Sequence, residues 1–291
     1  MGELKTLLAI DGGGLFGVGV ADWMPKLGGR TFDYYAGTSV GAILAACYAT
    51  GMEPPEVRDM FNSGLAKRIF TKPRLPASLN PLRPAVYDNR EAKRVLREVF
   101  GDTQVKDTKY PLIILAWNYG KRREKVFTSF KHNSTYLLRD AVLASISAPT
   151  FFPVVKLKDE NGKDEWLGDG VLCGNNPSFA GISAMRDEKI QTEHIKCLSI
   201  GTRGDPQEST KFNVPNKLGW QPVIIDVIIF GSVGYTSYAA ERLLGEKRYL
   251  RISPTNLPDG SMDDFKLVPK IKKAWEEYDH SKAVRFLDGT A

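Results

Sequence analysis

Gly37-Thr38-Ser39-Val40-Gly41 places a serine between glycines two positions away on either side. This is the spacing of a nucleophile held on a sharp strand-to-helix turn. Gly37 and Gly41 lack the Cβ atoms that would clash at such a bend. A helix starting after the serine aims its first amides at developing negative charge. The five-residue pattern is short and built from common residues, so its context carries the weight. An apolar run precedes it, and Ala42, Ala45 and Ala46 after it permit close helix packing.

An attacking hydroxyl needs a proton acceptor within hydrogen-bond reach. His132, His194 and His280 are the histidines of the chain. Only His280 comes late enough for the order Ser, acid, His, and its Tyr-Asp-His-Ser setting reads as a charged helix. A surface or structural role suits all three better. Asp169 stands between Gly168 and Gly170, after the strand-like pair Trp166-Leu167. By residue type alone it is equally a turn former or a carboxylate held at a site. A dry, close carboxylate serves as base directly, because burial raises its proton affinity.

Gly12-Gly13-Gly14 follows an apolar run and admits three readings. With Gly17 it satisfies G-x-G-x-x-G, but a dinucleotide site also needs an acid at the end of the next strand. Asp33 falls at the start of that strand. No Gly-Lys-Ser/Thr follows, which excludes a phosphate-binding P-loop. The second reading is an oxyanion loop, in which bare glycine amides approach a tetrahedral intermediate. The third is a tight turn.

The elements around these motifs alternate. Short apolar runs predict strands at Leu4–Ile10, Thr31–Ala36, Ile195–Ile200 and Tyr249–Ile252. Pro111–Trp117 and Lys125–Phe130 read as a hairpin, and Lys156–Glu165 as a second, charged one. Helices are predicted over Val40–Thr50, Pro54–Ala66, Arg90–Phe100, Leu137–Ser145 and from Asn175-Asn176-Pro177 toward Arg186. Val223–Leu244 and Val268–Asp279 complete the set, and Thr71–Pro84 reads as a long loop. Strands alternating with helices imply an α/β fold with a mostly parallel central sheet. No linker divides the chain, so a single catalytic domain is expected over residues 1–291. Its motifs lie within 4–202, and the helices of 203–291 pack on it.

A chain of 291 residues with 42% hydrophobic and 25% charged residues can bury a core without staples. The net charge of +6 suits an anionic membrane surface or nucleic acid alike. Lys121-Arg122-Arg123 lacks the interleaved aromatics of a single-strand platform and reads as a solvated hairpin tip, so no DNA or RNA partner is expected. Cys47, Cys173 and Cys197 are widely spaced and odd in number, which indicates neither disulfides nor a metal site and fits a reducing compartment. The stretch from Val223 to Val233 is too short to span a bilayer. Its residues Ile224, Ile225, Ile228, Ile229 and Phe230 have helical spacing and read as a core helix before a lipid-facing one. A cytoplasmic protein with any membrane contact peripheral is expected.

D-G-G-G-x-x-G, then G-T-S-V-G, then D-G, in that order, resemble the patatin-like phospholipase family. Ser147-Ala148-Pro149-Thr150-Phe151-Phe152-Pro153 is similar to the family's S-A-A-P-T-Y-F-P, and Asn175-Asn176-Pro177 to its N-N-P. Leu198-Ser199-Ile200-Gly201-Thr202 is similar to its S-L-G-T strand end. The resemblance implies a three-layer α/β/α fold and a catalytic Ser39–Asp169 dyad without histidine. It implies an oxyanion hole from the amides of Gly12, Gly13 and Gly14, with Gly17, Gly37, Gly41 and Gly170 as motif glycines. It implies hydrolysis of a phospholipid or other acyl-ester lipid at a transient membrane surface, without metal or cofactor. Some compact bacterial members of the family are anti-phage effectors switched on by cyclic nucleotides, which implies such an activator here. The sequence does not single out basic residues to bind it. Two positions depart from the pattern. Phe16 stands where the family carries Arg or Lys, so a positive charge is lost and apolar contact with acyl chains or core is gained. Val171 stands in the third position of D-G-G/A.

Overall fold

The computed structural model describes residues 3–72, 85–130, 135–204 and 220–290, with only the backbone course for 220–226. The chain runs β1 (Lys5–Ile10), α1 (Gly17–Trp23), β2 (Tyr34–Thr38), α2 (Val40–Ala49), α3 (Pro54–Asn62), α4 (Leu65–Ile69) and α5 (Arg90–Phe100). It continues through β3 (Leu112–Asn118), β4 (Arg123–Thr128), α6 (Leu138–Ser145), β5 (Val155–Lys158), β6 (Asp164–Asp169), α7 (Val171–Gly174) and α8 (Ser178–Asp187). It ends with β7 (Ile195–Ile200), α9 (Trp220–Leu244), β8 (Tyr249–Ile252), α10 (Val268–Glu277) and α11 (Ser281–Asp288).

All eight strands form one mixed sheet in the order β5-β6-β3-β2-β1-β7-β8, with β4 paired to β3. The five strands from β3 to β8 are parallel, as expected, and β4, β5 and β6 are antiparallel additions. Side chains alternate across a strand, so β1 feeds two cores. Leu8 and Ile10 pack toward α1, α2, α10 and α11, while Leu7 and Ala9 pack toward α8 and α9. A strand buried on both faces reads as a continuous apolar run, which is why β1 has no polar alternation.

One feature of the pairing brings distant segments together. Thr38, the last residue of β2, pairs with Leu115 of β3. The next residue of β3, Ala116, pairs with Asp169, the last residue of β6. β3 therefore passes from one neighbour to the other within a single residue step, and the ends of β2 and β6 meet there.

Three helices differ from expectation. Pro54–Ala66 is broken at Gly64, whose φ of 101° a helix cannot accommodate, giving α3 and α4. The glycine-rich α1 has poor intrinsic propensity. It forms because Gly19 lets the Trp275 ring of α10 lie directly against its backbone. Extended backbone at Tyr278 separates α10 from α11. Of the Thr71–Pro84 loop, residues 73–84 lie outside the described set, as do the side chains of Ile224 and Ile225. Ile229 is buried in the core. Among the described residues no helix is long and apolar enough to cross a membrane.

Lys121, Arg122 and Arg123 are exposed at the hairpin tip, as expected, and Lys121 also reaches back to β6. Lys121 Nζ reaches Glu165 at 2.8 Å, and Lys125 Nζ reaches its other oxygen at 2.9 Å. Tyr136 Oη and Asn118 Nδ2 also donate to this buried carboxylate. Burial pushes the Glu165 carboxyl up, but the donors from Lys121, Lys125 and Tyr136 overcome it and hold the group at about 2.

Gly37 and Gly41 let β1, β2 and α2 cross at backbone contact. A methyl group on Gly41 would collide with the Ile10 carbonyl, and one on Gly37 with the carbonyl of Gly41. Neither neighbour is a flexible side chain, so overpacking there is costly. Gly41→Ala should destabilise the fold by about 3 kcal/mol, read as a lower urea midpoint with an unchanged slope. A midpoint equal to wild type would show that the crossing has room to spare.

Candidate active site

Ser39 sits alone between β2 and α2, with φ 54° and ψ −125°. Such a conformation strains an L-residue by about 1–3 kcal/mol and persists only where its surroundings hold it. Ser39 N–H donates to Ser145 Oγ at 3.0 Å, and that hydroxyl donates to the Leu115 carbonyl at 2.5 Å. One residue earlier, Thr38 Oγ1 donates to the Gly174 carbonyl at 2.8 Å. Gly17 allows the Val40 side chain to rest on α1. The elbow is thus fastened to α6, to β3 and to α7.

Ser39 Oγ donates to Asp169 Oδ2 at 2.8 Å, and both residues are buried. The other oxygen, Oδ1, accepts the Val171 N–H at 2.9 Å. Val171 therefore touches the site through its backbone, whatever its side chain. Gly170 lets this turn lie against the Leu115 carbonyl. Burial pushes the Asp169 carboxyl up to about 7, while the bonds from Val171 and Ser39 pull modestly the other way. A carboxylate with that proton affinity can accept a hydroxyl proton near neutral pH.

The glycine loop lies against the same serine. A methyl group on Gly12 would fall 2.9 Å from Ser39 Cβ. Gly12 itself does not offer a bare amide, contrary to expectation. Its N–H donates to the Asn175 carbonyl at 3.2 Å, and its own carbonyl accepts from Thr202 Oγ1 and Asn175 Nδ2. Leu15 N–H is taken by the Met262 carbonyl and Phe16 N–H by that of Gly13. Among the described residues, the N–H groups of Gly13 and Gly14 meet no acceptor. Neither does that of Val40, at the first position of α2. Gly14 has φ 58° and borders the same cleft as Ser39. Gly12 is thus the clamp of the loop, and the amides left without an acceptor among the described residues are those of Gly13, Gly14 and Val40.

The open room of that cleft is narrow, about 30 Å³. Its walls come from α2 (Ile43), α4 (Leu65, Ile69), Phe70, the segment after α6 (Ile146, Ala148) and Met262. Apart from Ser39 the lining is apolar, as an acyl chain requires. Phe16 does not reach it; its side chain is 1% exposed and belongs to the core. The charge absent at position 16 returns from elsewhere: the Arg203 guanidinium lies 5.4 Å from the centre of the Phe16 ring.

The partners of several supporting residues could not be read from the sequence. Asp11, the first residue of the glycine motif, is buried and held by both terminal nitrogens of Arg251, at 2.8 and 3.3 Å. Ser145 and Asn175 emerge as anchors of the elbow and the loop. Neither histidine among the described residues enters the site. His194 precedes β7 at the end where Ile195 pairs with Lys5, opposite to the serine, and His280 is exposed before α11. His132 lies outside the described residues. A dinucleotide site is equally unsupported, because Asp33 bonds Thr6 N–H and Oγ1 at the far end of β1 from the glycines.

A family model described as patatin-like phospholipase matches residues 8–180. Over 279 residues the chain is 28% identical to a cGAMP-activated phospholipase of Pseudomonas aeruginosa, covering 88% of this chain and 80% of that one. Patatin-like protein 2 of Arabidopsis thaliana is 28% identical over 265 residues, covering 75% of this chain and 64% of that protein. Among solved structures, VipD from Legionella pneumophila superposes with a TM-score of 0.47 at 14% identity, covering 99% of this chain and 67% of that one. Matched over more than half its length, through the glycine loop, the serine elbow and Asp169, the chain belongs to the patatin-like phospholipase family.

Proposed function

We propose that the protein is a phospholipase A-type lipid acyl hydrolase that cleaves acyl esters of membrane phospholipids. Ser39 is the nucleophile and Asp169 the base. The reading is carried by the 2.8 Å bond between the Ser39 hydroxyl and a buried carboxylate whose proton affinity is raised to about 7.

The steps follow from the groups present. Asp169 takes the hydroxyl proton as Ser39 Oγ attacks the ester carbonyl, forming a tetrahedral oxyanion. The amides of Gly13 and Gly14 receive that charge, each such donor being worth about 3 kcal/mol. Collapse breaks the bond to the lysophospholipid alkoxide, which takes the proton back from Asp169, and leaves the acyl group on Ser39. Asp169 then deprotonates a water that attacks the acyl-serine. The second tetrahedral species releases the fatty acid and returns the proton to Ser39. The apolar cleft holds the acyl chain throughout.

The setting belongs to the same proposal. The protein works in the cytoplasm and meets the inner membrane peripherally, and exposed Val227, Tyr235, Tyr238 and Leu243 on α9 suit an interfacial contact. Similarity to the cGAMP-activated enzyme of Pseudomonas aeruginosa supports a cyclic nucleotide as activator and a role in antiviral defence.

Ser39→Ala and Asp169→Ala should each lower fatty-acid release from phospholipid vesicles by about a thousandfold or more. His132→Ala, His194→Ala and His280→Ala should retain it. Substantial turnover by Asp169→Ala would overturn the base assignment, and loss in a folded His280→Ala protein would restore a histidine triad. The pH dependence has a defined sign. Asp169 must be ionised to act, so kcat/KM should rise about tenfold per pH unit below 7 and level off above it. Stability runs the opposite way. Because the folded-state affinity is raised from 3.8 to about 7, this group's contribution is present below pH 4 and lost as pH rises through 7. Asp169→Asn should therefore be inactive yet melt several degrees above wild type at pH 8, with the gap closing by pH 4. Equal melting temperatures at pH 8 would mean that the carboxylate is not dry.

A further inference from the structure

Arg90, Lys93, Arg94 and Arg97 recur at i, i+3, i+4 and i+7, which places them on one stripe of α5. The start of α6 adds Arg139, and together they line an open groove of about 440 Å³ floored by Leu143. Five cations face a single acid, Asp140. The chain as a whole carries 40 basic and 34 acidic residues. Like charges at these helical spacings repel one another, and nearby carboxylates relieve them only in part. Arg90 pairs with Asp88, Arg94 with Glu91, and Arg139 with Asp102. Among the described residues, Lys93 and Arg97 make no ion pair. Burial pushes the Asp140 carboxyl up, and the charges of Arg139, Lys93 and Arg97 pull it back.

We propose that this groove binds a phosphodiester anion, either a soluble cyclic dinucleotide or the headgroup of an anionic lipid. Four of the five cations are arginines, whose planar forks match phosphate oxygens two at a time. The groove lies outside the cleft that holds Ser39, with no residue in common.

The two helices that form the groove also support the two walls of the cleft. α6 carries Leu143 in the groove and Ser145, which holds the Ser39 N–H, and it leads directly into Ile146 and Ala148 of the cleft. α5 is clasped to α4 by Arg68, which bridges Glu91 at 3.0 Å and Glu98 at 2.7 Å. α4 supplies Leu65 and Ile69 to the opposite wall. An anion seated between α5 and α6 therefore bears on both walls at once. Binding at the groove does not depend on the catalytic reading above; only the functional value of the coupling does.

Calorimetry on the Ser39→Ala protein separates the two questions, since no hydrolysis can intervene. The probes are cyclic GMP–AMP, inorganic pyrophosphate, and vesicles of phosphatidylglycerol against phosphatidylcholine. Arg94→Glu/Arg97→Glu should weaken binding of the preferred probe by about tenfold or more, while Arg122→Glu at the distant hairpin leaves it unchanged. Arg94→Gln/Arg97→Gln gives the same comparison if charge reversal disturbs folding, which circular dichroism reports. Saturation by a soluble probe assigns the site to a free nucleotide, and binding confined to phosphatidylglycerol assigns it to a headgroup. In either case amide exchange should slow along α6 and through Ile146–Ala148. Failure of every probe to bind, or equal binding by wild type and both double variants, would overturn the site. Binding without any change in exchange at α6 would overturn the link to the cleft.

Discussion

The site depends on a single handover in the sheet. β3 is wide enough to serve β2 with its first half and β6 with its second, and the change falls between Leu115 and Ala116. Ser39 follows the strand that ends on one side of that step, and Asp169 ends the strand on the other. A separation of 130 residues along the chain thereby collapses to hydrogen-bond distance, with no loop required to carry either group across the molecule. Ser145 secures the same junction from above, since its hydroxyl joins the Ser39 amide to the Leu115 carbonyl. A one-residue slip of β6 against β3 would turn the carboxylate to the other face. The antiparallel pairing of β5 with β6, and the ion pairs around Glu165, guard against it.

β6 also shows how environment assigns roles to identical groups. Glu165 and Asp169 are both buried and four residues apart on one strand. Two lysines and a tyrosine surround Glu165 and hold it ionised at about 2. Asp169 meets only the Val171 amide and the serine hydroxyl, and its affinity rises to about 7. The first arrangement makes a structural anion that never trades its proton. The second leaves a carboxyl group that can take up a proton near neutral pH, a capacity that an approaching cation would remove. Placing the nearby arginines elsewhere is consistent with this. Arg251 is committed to Asp11, and Arg203 lies over the Phe16 and Phe230 rings.

Much of this was legible in the sequence where local pattern decides the outcome. β7, β8 and α5 fall on their expected limits because apolar runs and helical periodicity define them without help. The elbow glycines were legible for a similar reason, since only a missing Cβ fits a backbone crossing. What escaped was set by partners far away. The free amides of the glycine loop cannot be distinguished until Asn175 is seen to take that of Gly12. α1 owes its form to Trp275, and the buried partner of Asp11 is 240 residues distant. The cations of α5 were in plain view as residues, but one charged helix face looks like any solvated surface. Only the arrival of Arg139 from α6 closes it into a groove.

The present state of Arg139 decides what kind of switch such a groove can be. A ligand shifts an equilibrium only by its difference in affinity for the two states, so an anion that left α5 and α6 as they are would change nothing at the cleft. Arg139 is now committed to Asp102 and to the Gly101 carbonyl at the end of α5, with a side chain only 14% exposed. A phosphate must draw it from that partner, while the exposed Arg90 and Arg94 can reach the ligand without moving the backbone. The energetic leverage on α6 therefore passes through Arg139, the one cation of the groove that α6 itself carries. The outer arginines contribute affinity but little direction. Coupling strength and binding strength are thus separable in this geometry, carried by different residues of the same groove.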